Sequence, residues 1–266
     1  MQYKLIALDM DGTVLDSNKQ ISKRTASAIK KAIEYGVHVV LSTGRSIVGL
    51  RQYNEALKLK SPVISYNGGM VLNPADETVL YQKNLRPEDA QAVMQCGQTF
   101  GVSQIVWSNG SLYTFADTPQ AREYAEKNKT EFTIIEDAVA LSKQGITKVL
   151  WSDDPEQIAR YQKELPHLLD GEMSYFTSCL HYLEFTDKEV SKGNALAFLS
   201  EHLQIAPAEM IAVGDGMNDE SMLRYVGLGV AMENAVDAVK GFADMITSTN
   251  DEDGVAQVIE KFILGT

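Results

Sequence analysis

Cysteine is scarce in this chain, which has two, Cys96 and Cys179, far apart and without a Cys-x-x-Cys spacing. That excludes a disulfide framework and a thiolate zinc site, and it predicts two free, buried thiols. Histidine is thin as well. His38, His167, His181 and His202 are scattered, which counts against an imidazole zinc centre. No apolar run approaches membrane-spanning length, and the first residues form no basic segment, signal-type apolar core or small-residue cleavage site. These absences predict a cytoplasmic protein. Positive charge is in deficit: 24 Lys and Arg stand against 36 Asp and Glu, a net charge of −12. Nucleic acid and anionic membrane surfaces need a basic footprint and are therefore not expected as main partners, although a local basic pocket stays open. Repeats and low-complexity tracts are missing too. What is left, 266 residues with 44% hydrophobic and 23% charged content, is enough for one large domain or two ordinary ones with a substantial core.

What the chain does have is the stretch Lys4 to Asp16, KLIALDMDGTVLD. Its apolar run, Leu5 to Leu8, reads as a buried strand delivering Asp9 and Asp11 to a loop that turns at Gly12. Ligands of open α/β sheets bind at that end of the strands, and close carboxylates are costly there unless they share a cation or a proton. An ordinary turn explains the same letters, since Asp and Gly are turn formers. A calcium loop does not, because the sixth and twelfth positions counted from Asp9 are Val14 and Gln20 instead of Gly and Glu.

Downstream, Ser22 can cap a helix with Ala26, Ile29 and Ile33 on one face and Gly36 as its stop. A second strand, His38 to Leu41, ends in Ser42-Thr43-Gly44-Arg45, and a helix-like segment follows to about Lys58. This βαβα opening implies a parallel sheet with right-handed crossovers. A third strand, Pro62 to Tyr66, predicts a hairpin with the run Thr78 to Gln82 through Asn67-Gly68-Gly69. The rhythm then changes. From about Leu85 to Asp187 come a helix carrying Ala90, Val93, Met94 and Gly97, strands around the hairpin signal Asn109-Gly110, a helix near Pro119 to Asn128, a strand Ile146 to Trp151, a helix from Asp154 and two strands within Met173 to Thr186. We read residues 84–187 as an inserted α+β domain of antiparallel pairs, and 1–83 with 188–266 as the domain it interrupts. The first rhythm resumes with a helix Lys192 to Leu203, a strand Met210 to Val213 that ends in Gly214-Asp215-Gly216-Met217-Asn218-Asp219, a helix, a strand Gly227 to Met232 and another short helix. A last helix carries a stripe of Val255, Val258, Ile259, Phe262 and Ile263.

Asp9, Asp11, Thr43, Lys192, Asp215 and Asp219 all fall at strand or helix ends of the interrupted domain. Carboxylates with a hydroxyl and an ammonium suit magnesium and a phosphoryl group, because Mg²⁺ takes oxygen ligands and keeps waters beside one or two carboxylates and a phosphate oxygen. A dianionic monoester repels a carboxylate nucleophile until positive charge offsets the field, and a cation, Lys192 and the amides of Met10 to Gly12 can supply it. Side chains two apart on an extended strand face the same way, so Asp9 can attack while Asp11 moves protons. Singly, each residue has a plainer explanation: Thr43 as a helix cap, Lys192 as a solvated helix residue, Asp215 and Asp219 as a turn and cap. Their joint occurrence is the informative feature.

Asp9-Met10-Asp11-Gly12-Thr13, Ser42-Thr43-Gly44-Arg45, Lys192-Gly193 and Gly214 to Asp219 resemble, in order, the four motifs of the haloacid dehalogenase-like superfamily of phosphohydrolases. The resemblance covers nearly the whole chain, and the insertion looks like the cap of the Cof-type sugar-phosphatase branch. It implies an α/β fold, a Rossmann-like parallel-sheet core with an inserted α+β cap. It also implies a phosphatase for small phosphorylated metabolites, with Asp9 as the nucleophile forming an aspartyl-phosphate and Asp11 as general acid and base. Thr43 and Lys192 would hold the phosphate, with Met10, Gly12, Gly44 and Asn218 close to it. Mg²⁺ would be bound by Asp9, the backbone carbonyl of Asp11 and Asp215, with Asp219 supporting the metal site directly or through water. Arg45 and Asn67 are candidates for leaving-group selection together with the cap, although Asn67 can equally be a turn residue. Phosphomutase activity is the nearest alternative, and a receiver-like module that stores a phosphoryl group is a more distant one. A dinucleotide fold is disfavoured, since Gly214-x-Gly216 and Gly227-x-Gly229 both lack the third glycine, replaced by Asp219 and Met232. Substrate and oligomeric state are not legible.

Overall fold

The computed structural model describes residues 3–169 and 171–266. Its first half runs β1 (Leu5–Leu8), α1 (Lys23–Glu34), β2 (His38–Leu41), α2 (Ile47–Leu57), β3 (Val63–Ser65), β4 (Met70–Leu72), β5 (Val79–Gln82), α3 (Pro87–Phe100), β6 (Ser103–Ser108), β7 (Ser111–Thr114) and α4 (Pro119–Lys127). It continues with β8 (Phe132–Ile134), α5 (Ala138–Gln144), β9 (Lys148–Ser152), α6 (Pro155–Glu164), β10 (Met173–Cys179), β11 (Tyr182–Asp187), α7 (Lys192–Leu203), β12 (Met210–Gly214), α8 (Glu220–Tyr225), β13 (Leu228–Met232), α9 (Asp237–Lys240), β14 (Met245–Thr247) and α10 (Gly254–Ile259). Two compact units result, one of Met1–Arg45, Leu50–Tyr81 and Ser191–Thr266, the other of Ser46–Gly49 and Gln82–Val190.

In the first unit a parallel sheet has the order β14-β13-β12-β1-β2. The four residues of β1 are apolar and none is exposed, because both neighbours and both faces are covered. Each Leu or Ile so buried contributes about 1.5–3 kcal/mol relative to an exposed one. β1 lies between β2 and β12, with Leu5 opposite both His38 and Met210. Its C-terminal end is thereby set beside the ends of two strands that lie far from it in the chain. Ser22 caps α1 by accepting from the Thr25 amide, as the sequence predicts, and Gly36 ends the turn at φ +83°. The buried seam of α1 is Thr25, Ala28, Ile29 and Ala32, so Ala26 and Ile33 flank it.

The expected hairpin is corrected. The antiparallel partner of β3 is β4, with Ser65 opposite Met70, and Val79–Gln82 is the outer strand of that small sheet. The chain reverses within Tyr66 to Gly69 because Tyr66 and Asn67 adopt left-handed backbone (φ 51° and 56°) and Gly68 reaches φ +101°. β14 was not expected either, as three residues are too short to establish a pattern. The apolar stripe near the C-terminus is buried at Val255, Val258, Ile259 and Ile263, while Phe262 is half-buried.

The second unit is a six-stranded sheet in the order β10-β11-β9-β6-β7-β8. Its pairs are antiparallel except for β7 with β8, a short strand that the sequence reading missed. Asn109 and Gly110, both at positive φ, make the predicted tight turn between β6 and β7. Ala90, Val93, Met94 and Gly97 form the buried seam of α3, and Val93 joins Val106, Val149, Trp151, Leu183 and Phe185 in the core. The expectation of buried thiols fails. Cys96 sits beside the α3 seam and is half-buried, and Cys179, the last residue of β10, is exposed.

Candidate active site

All the motif residues belong to the first unit and gather at the C-terminal ends of its strands. Asp9 directly follows β1, its amide donating to Val213 O at 3.0 Å, and its side chain is buried. Lys192, the first residue of α7 behind the Ser191 cap, has no exposed surface. Its Nζ donates to Asp9 Oδ1 and to Asp219 Oδ1, both at 2.5 Å. Asp219 is fully buried, and its other oxygen accepts from the amides of Asp215 at 3.0 Å and Gly216 at 2.9 Å, closing the loop after β12 on itself. Gly214 lies against this carboxylate, where a Cβ would come 2.5 Å from Asp219 Oδ2.

Asp215 completes the group. Carboxylate oxygens of Asp9, Asp215 and Asp219 lie within 4.8 Å of one another. Thr13 Oγ1 donates to Asp215 Oδ1 at 2.9 Å. Gly12, at φ +85°, presses its bare Cα on the same carboxylate, and a Cβ there would sit 2.4 Å from Oδ2. Three carboxylates and one ammonium leave an excess of negative charge, and the titration behaviour follows from it. Burial, then the charge of Asp219, raise the Asp9 carboxyl well above its usual range against the pull of Lys192. Burial also raises Asp215, opposed by the Thr13 hydrogen bond. Lys192 is shifted upward, because Asp219 and Asp9 outweigh the cost of its burial. The donor set is all oxygen and carries surplus negative charge, which fits a hard divalent cation. Asp219 is the least available of the three, with one oxygen on Lys192 and the other on two amides.

The Asp11 carboxylate stands apart from that group. Arg45 grips it through two hydrogen bonds of 2.7 Å, from Nε to Oδ2 and from Nη2 to Oδ1, and Lys19 Nζ donates to Oδ1 at 3.1 Å. Burial pushes this carboxyl upward, but the bonds and charge of Arg45, with those of Lys19, hold it below the usual range. Arg45 also lies 5.2 Å from the centroid of the Tyr53 ring. Met10 turns its side chain wholly into the core, so only its backbone can face a ligand.

Thr43 is buried after β2, and its Oγ1 accepts from the Arg45 amide at 3.3 Å, a cap at the loop leading into α2. Gly44 packs against Asn67, where a Cβ would meet Asn67 Oδ1 at 2.9 Å. Asn67 is buried and accepts from Asn218 Nδ2 at 2.9 Å, so the second and fourth motifs are joined through it. Among the residues that the sequence reading left out of the site, Thr13 carried a signal, since it adjoins the Asp-x-Asp-Gly run. Lys19 carried none.

A family model described as haloacid dehalogenase-like hydrolase matches residues 6–259. The chain belongs to that family. This hydrolase is 33% identical over 270 residues to the 5-amino-6-(5-phospho-D-ribitylamino)uracil phosphatase YcsE of Bacillus subtilis, covering 99% of this chain and 97% of that protein. It is 30% identical over 287 residues to phosphatase YwpJ of the same organism, covering 98% of this chain and all of that one. Among solved structures, a haloacid dehalogenase-like hydrolase from Bacteroides thetaiotaomicron superposes with a TM-score of 0.88 at 33% identity, covering 98% and 100% of the two chains. The hydrolase fold of a parallel-sheet core interrupted by an inserted α+β unit is thus shared along the whole length.

Proposed function

We propose that this hydrolase, a phosphoric monoester phosphatase acting on small phosphorylated metabolites, is Mg²⁺-dependent and works through an aspartyl-phosphate on Asp9. The single observation that carries the reading is the buried Lys192 ammonium, 2.5 Å from both Asp9 and Asp219, with the Asp215 carboxylate alongside. An Asp9 oxygen attacks phosphorus, the bond from phosphorus to the leaving oxygen breaks, and Asp11 gives that oxygen a proton. Water then attacks the phosphoryl group, Asp11 takes the proton, and the acyl-phosphate bond to Asp9 breaks to release phosphate. For Asp11 to deliver a proton it has to leave Arg45, whose hydrogen bonds and charge hold its carboxyl below the usual range. Lys192 and Thr43 hold the phosphate, the backbone of Met10, Gly12 and Gly44 lines it, and Asn218 lies near it. Asp9 and Asp215, with the Asp11 backbone carbonyl and support from Asp219, would hold Mg²⁺. When bound there, the ion would supply positive charge to offset that of the nucleophile and phosphate.

We assign leaving-group selection to residues 84–187, taken as the cap, and to Arg45. Sugar phosphates are the favoured class, with phosphorylated ribityl compounds next because of the activity named for the 33%-identical relative. The test is phosphate release from a panel of such monoesters, with Mg²⁺ and with chelator, by wild type and Asp9→Asn. The expected result is turnover by the wild type with Mg²⁺ alone and none by the variant. Undiminished turnover by Asp9→Asn, or a chelator-resistant wild type, overturns the reading. A sugar-phosphate isomer formed without free phosphate would identify a mutase.

A further inference from the structure

Gly12 has no side chain to fix its backbone, yet it occupies φ +85° with its Cα against the Asp215 carboxylate. The next residue, Thr13, donates to that same carboxylate at 2.9 Å. The peptide joining Gly12 to Thr13 is therefore the backing of Asp215, and its orientation depends on ψ of a glycine, a torsion that costs little to change. Its N–H, that of Thr13, donates within the loop to Met10 O at 3.3 Å, while its carbonyl is held from outside the loop. Asn234, in the segment after β13, donates from Nδ2 to Gly12 O at 2.8 Å across 222 residues of sequence. Its Oδ1 accepts from the Asn250 amide at 3.0 Å, and Asn250 Nδ2 donates to Leu15 O at 2.8 Å. Ser17, two residues further on, donates to Asp251 from its amide and its hydroxyl at 2.8 and 2.6 Å. Two asparagines thus grip both ends of the turn from Gly12 to Leu15, and Asn234 is the node, since it touches Gly12 and Asn250 at once.

We propose that Asn234, seated on Asn250, is a positioning residue for the metal site. By pinning the Gly12 carbonyl it fixes the peptide that aims the Asp215 carboxylate. The Asn234 side chain bonds the Gly12 carbonyl and the Asn250 amide, neither of them a candidate metal ligand, and it acts through that peptide. The inference rests on the reading of Asp215 as a metal ligand. Its geometry predicts weakened metal binding on removal of the clamp, with the protein still folded, because Asn234 is exposed.

The test uses the full-length, metal-free protein titrated with Mg²⁺, reading the midpoint of the metal-dependent rise in unfolding temperature, a quantity independent of turnover. Loss of residues supporting metal ligands typically weakens metal affinity by about 10–100-fold, and a contact one peptide further out is expected at about tenfold. Asn234→Ala should raise the midpoint by about that factor, and Thr13→Val, which removes the direct bond to Asp215, should do likewise. If both act through one peptide, the double variant is no worse than either single one, whereas independent effects would multiply. Asn250→Ala, which removes only the Leu15 anchor, should move the midpoint in the same direction by less. A midpoint for Asn234→Ala within about twofold of the wild type, or a double variant at the product of the single effects, overturns the clamp. A wild type whose unfolding temperature does not respond to Mg²⁺ overturns the metal reading and the clamp with it. A wild type that responds while the variants match it overturns the clamp alone.

Discussion

Lys192→Met removes the ammonium at the centre of the candidate site while roughly keeping its volume. Lys192 has no exposed surface, and its two carboxylate partners are buried with it. Without it, the buried carboxylates of Asp9 and Asp219 lose the ammonium they share. Removing one partner of a buried ion pair costs about 3–5 kcal/mol. Asp9, already raised by burial and by Asp219, can take up a proton and relieve part of the repulsion, so the lower half of that range is the expectation. For a unit of about 150 residues each kcal/mol moves the melting temperature by about 2–4 °C, which makes the expected fall about 6–16 °C. The assay is scanning calorimetry of wild type and variant without metal, because calorimetry separates transitions of two units that a single probe merges. The transition of the unit built on β1 and β12 should fall, and that of the inserted unit should stay. A fall of less than about 2 °C would refute the reasoning, since it would mean that the Lys192 charge is not compensating two buried carboxylates.

Gly12→Ala should cost about 1–2 kcal/mol of stability in urea for an alanine held at left-handed backbone, but raise the Mg²⁺ midpoint far more, because its Cβ would come 2.4 Å from Asp215 Oδ2 and displace that carboxylate. Gly68→Ala should lose at least about 1–3 kcal/mol by the same assay, since φ is +101° and the Cβ would meet the Ser191 carbonyl oxygen, a backbone atom that cannot swing aside. In the second unit Lys148 Nζ donates to Glu184 Oε2 at 2.9 Å, with both side chains buried, so Glu184→Gln should destabilise that unit by about 3–5 kcal/mol and Lys148→Met with Glu184→Leu should recover much of it. Burial works against the Lys148 charge, but Glu184 outweighs it and raises the ammonium above its ordinary value. The stabilisation is therefore fully present below the unfolded pKa of about 10.4 and is lost as pH rises through the higher folded value, which urea unfolding between pH 7 and 11 would follow.

Much of the scaffold was legible because its signals are local. The apolar run before Asp9, the Ser22 cap, and Asn109-Gly110 each act over a few residues, and each specifies its element without help from the rest of the chain. The hairpin partner of β3 was misread because Asn67 and Gly68 reverse the chain sooner than the next alternating run suggests. The thiols were misread because burial depends on which side of a helix or strand end finds a neighbour. For the candidate site, the letters located strand ends and helix starts but could not say which side chains meet.

Residue order alone was enough for the α/β class, the interruption of one domain by another and the order of the four motifs, since hydrophobic period, turn chemistry and capping operate within a few ångströms of the backbone. Folding settled the partnerships. Lys192 bridges Asp9 and Asp219 from 183 and 27 residues away. Arg45 grips Asp11, and Asn234 reaches Gly12. Such contacts arise from strand order in the sheet, where β1 lies between β2 and β12, and hydrogen bonds and screened charges act only once that order has brought their groups together.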